Sequence, residues 1–145
     1  MRDKLVVLLG LVPLLVLMAA LTPSLEAPLV AKASQPVTPL RIWYGDTSWY
    51  GPKFGGRTTA SGESYDMTAS TAAHATLPFG SIVRLINTRT GRSAVVRIND
   101  RGPFVGGREL DVSYQVAEKL GIINRGVVRL RMELLQVPHG GGQRP

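Results

Sequence analysis

"SAVVRINDRGPF", residues 93–104, is the stretch whose reading decides the fold. In an extended chain Ala94, Val96, Ile98 and Asp100 fall on one face, and Val95, Arg97 and Asn99 on the other. That is a strand with one buried face, ended by the turn chemistry of "DRGP". Upstream, "SIVRLIN" (81–87) is a second strand, and the connecting "TRTGR" (88–92) carries Gly91 where a hairpin turn suits it. Downstream, "GVVRLRMELLQV" (126–137) sets Val128, Leu130, Met132 and Leu134 against Arg129, Arg131 and Glu133. "RIWYG" (41–45) is a further short strand. Helical pieces are confined to a turn near "STAAH" (70–74) and to "SYQVAEKLG" (113–121), with Ser113 to cap its start and Gly121 its end. These patterns predict a mainly β domain, closed or nearly closed, with loops rich in Gly, Pro, Ser and Thr.

Asp100 is the odd member of its face. If Ala94, Val96 and Ile98 line the core, the carboxyl emerges at the rim over apolar neighbours with Arg97 turned away. That is the desolvated setting in which a carboxyl keeps its proton for general acid work. The other reading is that Asp100 braces the turn by accepting backbone hydrogen bonds, a common use of aspartate.

With 145 residues the chain suffices for one domain with a modest core. Its first 33 residues read as an export segment: Arg2 and Lys4 precede an apolar run from Leu5 to Leu21, and Ala31 and Ala33 offer a small-residue cleavage site. Ala27 is a poorer site because Pro28 follows it. The run also reaches the lower limit for spanning a bilayer, so an uncleaved N-terminal anchor is the alternative. Residues 34–40 form a polar, proline-containing linker, 41–136 the domain, and 137–145 a glycine-rich flexible tail. Without cysteine the domain is held by its core and not by disulfides, and carries no thiol for a lipid anchor.

The formal net charge is +7, much of it from arginines such as Arg84, Arg89, Arg92, Arg108 and Arg125. Such a surface favours anionic polymers. Few aromatics interleave with these arginines, and Arg129 and Arg131 have the spacing of a solvated strand face, so no nucleic-acid partner is expected. "DTS" (46–48) lacks the glycine of an aspartic-protease triplet, and no G-x-S-x-G elbow is present. Two histidines and no cysteine make no metal-ligand cluster of convincing spacing, so a site without metal or cofactor is expected.

The blocks "SWYG", "TASGE", "TAAHATLPFG", "VRINDRGPF" and "GRELDVS" lie in order between about residues 43 and 135. In these the chain resembles the rare lipoprotein A (RlpA) family, bacterial cell-envelope proteins that include lytic transglycosylases. The resemblance implies a six-stranded double-psi β-barrel, related in fold to expansins, with one or two short helices. It puts the family's catalytic aspartate on Asp100 and its other required polar positions on Glu63 and His74. Asp111 matches an acid important in expansin-like relatives, and Trp49, Tyr50 and Arg101 are further candidates for substrate binding. Each has a plainer reading: Glu63 as a solvated loop acid, His74 as a helix-end residue bonding a carbonyl, Asp111 as support for the next helix's N-terminus, and Trp49 or Tyr50 as core packing.

The implied reaction is cleavage of the β-1,4 bond between N-acetylmuramic acid and N-acetylglucosamine without water, giving 1,6-anhydromuramyl ends, with one carboxyl serving first as acid and then as base. Peptide-stripped peptidoglycan strands are the implied substrate, the periplasm or cell envelope the implied location, and a monomer the expected form. The alternative is a glycan-binding or wall-loosening module that does not cut, or an envelope protein acting through partners. Three departures bear on these expectations. The lipobox cysteine is absent, no sporulation-related repeat follows the barrel, and Gly55 stands where many members carry histidine.

Overall fold

A computed structural model of the protein describes residues 36–139, so the expected export segment and most of the tail lie outside the described residues. The strands are β1 (Arg41–Trp49), β2 (Thr71–His74), β3 (Ile82–Ile86), β4 (Ser93–Asp100), β5 (Arg108–Val112) and β6 (Val128–Gln136). One α-helix, α1 (Tyr114–Leu120), and two 3₁₀ turns, Pro52–Phe54 and Ile123–Arg125, complete the fold. The six strands close into a barrel in the order β1-β5-β2-β4-β3-β6. Two neighbouring pairs, β1·β5 and β2·β4, are parallel and the other four antiparallel. This is the expected double-psi β-barrel.

Alternation explains the parts of the barrel that it predicted. The hairpin β3–β4 pairs Leu85 with Ala94 and Val83 with Val96, and Gly91 sits in its turn at φ 73°. Val83, Leu85, Val96 and Ile98 meet Leu110, Val112, Leu130 and Met132 in the barrel interior, each essentially without exposure. Burying one such side chain contributes about 1.5–3 kcal/mol. On β6 the pattern has one exception, since Glu133 is buried on the polar face. Arg84 and Arg131 approach its carboxylate at 3.0 and 2.8 Å, so a buried charge has the partners that burial demands.

Helix α1 packs Val116, Ala117 and Leu120 into the same core. Gly121 ends it as expected, at φ 70°, with its N–H directed to the carbonyls of Ala117 and Glu118. Ser113 does not cap the start with its side chain: its hydroxyl donates to the Ala69 carbonyl, tying the helix to the loop before β2.

The turn expected near "STAAH" is instead strand β2. All four of its residues are buried, paired with β4 on one side and β5 on the other. Alanine's helical preference yields here to position, because small side chains fit a strand buried on both faces. Likewise "RIWYG" is only the first half of β1, which pairs with β6 over Arg41–Thr47 and then with β5 over Asp46–Trp49.

Candidate functional site

The end of β4 departs from simple alternation, and that departure builds the site. Against β2, Ile98 pairs with Ala72 but Asp100 pairs with Ala73, leaving Asn99 as an extra residue. Such a bulge re-aims the side chains around it. Asn99 and Asp100 consequently both reach the loop of residues 58–64, which an isolated bridge between Thr58 and Ser64 closes.

The seat of Asp100 differs from the apolar one expected. Its Oδ1 accepts from the backbone N–H of Ala60 and of Arg101, both at 2.8 Å, and its Oδ2 accepts from the Tyr50 hydroxyl at 2.9 Å. The turn-bracing bond to the next residue is thus present, together with a phenol that local turn chemistry does not call for. Asp100 is only half-buried, and its carboxyl lines a cavity of about 250 Å³ with Tyr50, Phe54, Arg57, Tyr65 and Arg101. Burial, followed by the bond to Asp100, pushes the Tyr50 phenol well above the ordinary tyrosine range.

Asp111, near the end of β5, lines a neighbouring cavity of about 350 Å³ with Ser48, Trp49, Phe104 and Arg108. Tyr50, Phe54 and Arg101 line both cavities, which makes the two carboxylates parts of one surface. Asp111 does not support the N-terminus of α1. Its Oδ1 accepts from the Ser48 hydroxyl and its Oδ2 from Arg108 at 2.8 Å, so both oxygens already hold partners. Trp49 is half-buried, edge-on to Tyr114 with ring centroids 5.6 Å apart.

Glu63 and His74 are not among the groups lining either cavity. Glu63 receives Arg97 through both oxygens, at 2.6 and 2.8 Å, and Asn99 at 3.2 Å. The Arg97 bonds, with Asn99 adding to them, hold the Glu63 carboxyl down to about 2. Its loop is the one that brings Ala60 to Asp100. His74 is buried, and its Nδ1 accepts from the N–H groups of Thr76 and Leu77 at 3.1 and 3.0 Å. Nε2 therefore carries the ring proton and faces Glu109 at 3.6 Å. Burial first of all holds this imidazole below its ordinary pKa, opposed by Glu109 and assisted by Arg101 and Arg41. His74 belongs to a strand and its ring accepts from backbone N–H groups, where a helix-end ring donating to a carbonyl was the plainer reading.

Arg101 links these parts. Its Nη1 donates to the carbonyls of His74 and Leu77 at 3.3 and 2.9 Å, and its guanidinium lies 3.8 Å from the centroid of Phe79. Sequence reasoning missed Tyr65 and Phe54, whose rings stand 5.0 and 5.6 Å from that of Tyr50. The only available signal was an aromatic residue in each of two otherwise polar loops. It also missed Ser48, Arg57 and Arg108.

Comparison with known proteins places the chain in a family. Residues 43–132 match a family model described as lytic transglycolase. Over 89 residues the chain is 55% identical to the endolytic peptidoglycan transglycosylase RlpA of Neisseria meningitidis, covering 61% of this chain and 37% of that protein. It is 50% identical over 101 residues to the protein of the same name from Vibrio cholerae, covering 70% of this chain and 38% of that one. A probable RlpA from Synechocystis is 48% identical over 117 residues, or 81% of this chain and 36% of the relative. The chain thus spans well under half the length of these relatives. Among solved structures, the Streptomyces papain inhibitor superposes with TM-score 0.53 at 20% identity, covering 69% of this chain and 99% of its own. The apo expansin of Clavibacter michiganensis gives TM-score 0.52 at 18% identity, covering 69% and 53%. At these identities the structural likeness concerns the fold.

Proposed function

On the premise that the chain belongs to the lytic transglycolase family, we propose that it cleaves peptidoglycan glycan strands at the β-1,4 bond between N-acetylmuramic acid and N-acetylglucosamine, leaving 1,6-anhydromuramyl ends. The observation that carries the reading is the asymmetry between the two carboxylates of the surface. Asp111 is buried and ion-paired with Arg108, whereas Asp100 is half-buried, faces its cavity and meets only neutral donors, with a single one on Oδ2.

Asp100, as the acid, gives its proton to the leaving 4-oxygen of N-acetylglucosamine as the bond to the anomeric carbon breaks. The resulting carboxylate then takes the proton of the muramyl 6-hydroxyl as that oxygen closes on the anomeric carbon. One group is acid and base in turn, no water is consumed, and Asp100 returns to its starting form. Glu63 supports it through the loop that supplies Ala60, and His74 through the backbone carbonyl that receives Arg101. Asp111, Trp49, Tyr50 and Arg101 surround the sugars on either side.

Arg57 and Arg101, both lining the Asp100 cavity, have no acid partner among the described residues. A muramyl unit without its stem peptide exposes a free lactyl carboxylate, the group such guanidiniums suit, which favours peptide-stripped strands. Residues 1–33 direct export, so the reaction takes place in the periplasm or cell envelope, and the protein acts as a monomer without metal or cofactor.

The test is digestion of sacculi and of amidase-stripped glycan by the full chain and by Asp100→Asn, with products identified by mass spectrometry. Anhydromuramyl ends from the parent alone are expected, in greater yield from stripped glycan. Reducing ends would replace the lyase with a hydrolase. Glycan binding by the parent without any cut would replace it with a binding or wall-loosening module.

A further inference from the structure

The two oxygens of Asp100 are not equivalent. Oδ1 accepts two backbone N–H groups at 2.8 Å, from Ala60 on one loop and Arg101 on the next, and these occupy both of its lone-pair directions. A proton placed there would displace one of them. Oδ2 accepts only the Tyr50 hydroxyl at 2.9 Å and keeps one direction open.

Tyr50 is itself held in place. Its ring packs against Phe54 and Tyr65, with interplanar angles of 55° and 54°, so the residue presents its hydroxyl to Asp100 with the ring braced by two others. The upward displacement of its phenol means that it keeps its own proton across the working pH range and stays a donor.

From this geometry we propose that Tyr50 is a positioning residue: the two N–H groups on Oδ1 confine the transferable proton of Asp100 to Oδ2, and Tyr50, by occupying one direction of that oxygen, aims the proton at the glycosidic oxygen. The inference rests on the reading of Asp100 as the acid–base group. During protonation the Oδ2–H bond breaks, the proton joins the 4-oxygen, and that oxygen takes the electron pair of its bond to the anomeric carbon. The charge left on the carboxylate meets three donors already in place, so no reorganisation is needed as it forms. In the second half Oδ2 takes the proton of the 6-hydroxyl while the oxygen–carbon bond of the anhydro ring forms. Tyr50 gives up no proton in either half; it limits the rotation of the carboxyl group and leaves Oδ2 one productive direction.

Tyr50→Phe in the full chain tests this, because it removes the hydroxyl and retains the ring. With stripped glycan as substrate, kcat is expected to fall about ten- to a hundredfold with KM within twofold, since the lost hydroxyl is bonded to the acid and the ring that faces the sugars is retained. An unchanged kcat, or a KM that rises in step with the loss, would overturn the proposal. A second readout needs no catalysis and no Tyr50 variant. In a tyrosine-labelled chain followed by NMR at neutral pH, the resonance of the Tyr50 ring carbon that bears the hydroxyl shifts between the parent and Asp100→Ala, because the hydroxyl loses its acceptor. A resonance that does not move would show that the pair is not formed and would equally overturn the proposal. Full activity in Asp100→Asn would sink the acid–base reading itself, a result distinct from an active Tyr50→Phe beside an inactive Asp100→Asn.

Discussion

Arg97 grips Glu63 through two parallel bonds, Nη1 to Oε1 at 2.6 Å and Nη2 to Oε2 at 2.8 Å. The grip fastens the loop of residues 58–64 to β4, whose own last residue, Asp100, receives the N–H of Ala60 from that loop. An ion pair near the surface thereby sets the position of a donor at the Asp100 carboxyl.

Glu63→Gln is therefore expected to lower kcat more than it raises KM, with Arg97→Lys acting in the same direction but less, since a lysine cannot reproduce the fork. A rise in KM alone would place Glu63 on the sugar. The stability effect has a definite sign. The folded carboxyl is held down to about 2, against 4.5 for an unperturbed glutamate. The pair's contribution is thus complete above about 4.5 and is lost as the pH falls from there toward 2. Thermal melts over that window should fall more steeply for the parent than for Glu63→Gln, by less than about 1 kcal/mol because the pair is partly exposed.

His74→Ala leaves the N–H groups of Thr76 and Leu77 without their acceptor, at a cost of about 2 kcal/mol or more. His74→Asn, which supplies a side-chain oxygen, should recover part of the loss in denaturant titrations. Because the folded ring resists protonation, an unfolded histidine, titrating near 6.5, takes up its proton first. The stability owed to neutral His74 is full above that pH and declines as the pH falls below it. The decline should be absent from His74→Asn.

Gly45→Ala would place a methyl carbon 2.5 and 2.7 Å from Cγ and Cβ of Glu109 and 3.1 Å from Cε of Met132. Cβ is not the free end of a side chain, so β5 or β1 must shift, at an expected cost of about 1–3 kcal/mol in chemical denaturation. Glu109 should also move away from Nε2 of His74, lowering the imidazole's midpoint further in an NMR titration, since Glu109 is the group that opposes its depression.

Arg101→Lys retains the charge but loses the planar group that lies over Phe79 and reaches two carbonyls. A stability loss of about 1–2 kcal/mol is expected from thermal melts. The N–H bond to Asp100 comes from the Arg101 backbone and survives, so kcat should fall by less than in Tyr50→Phe.

The β3–β4 hairpin, β6 and the end of α1 were legible because each carries a local pattern: alternation at period two, a turn glycine, or a left-handed glycine after the last helical residue. β2 and β5 were not. "TAAH" and "RELDV" show no alternation, because successive residues on both faces are buried, and the partners that select the extended form lie far off in sequence. In the site, Asp100 could be picked out as the acid at a strand's end, but the extra residue that re-aims it could not. Arg97, assigned to the face turned away from the core, does point away, and what it meets there is Glu63, a contact between residues 34 apart that no periodicity encodes. Tyr65 escaped notice because its value lies in a ring contact with Tyr50 across a folded loop.

Strand order also has a temporal side. The first strand, β1, lies between β5 and β6, so both of its neighbours are among the last parts of the chain to be synthesised. Until residue 136 has emerged the barrel lacks its final strand, and most of its contacts span long stretches of sequence, a topology that folds slowly. A growing chain therefore stays open and threadable for as long as synthesis lasts. Under the export proposed for this protein, late closure would keep the polypeptide narrow enough to pass through a channel before its own last strand locks the shape.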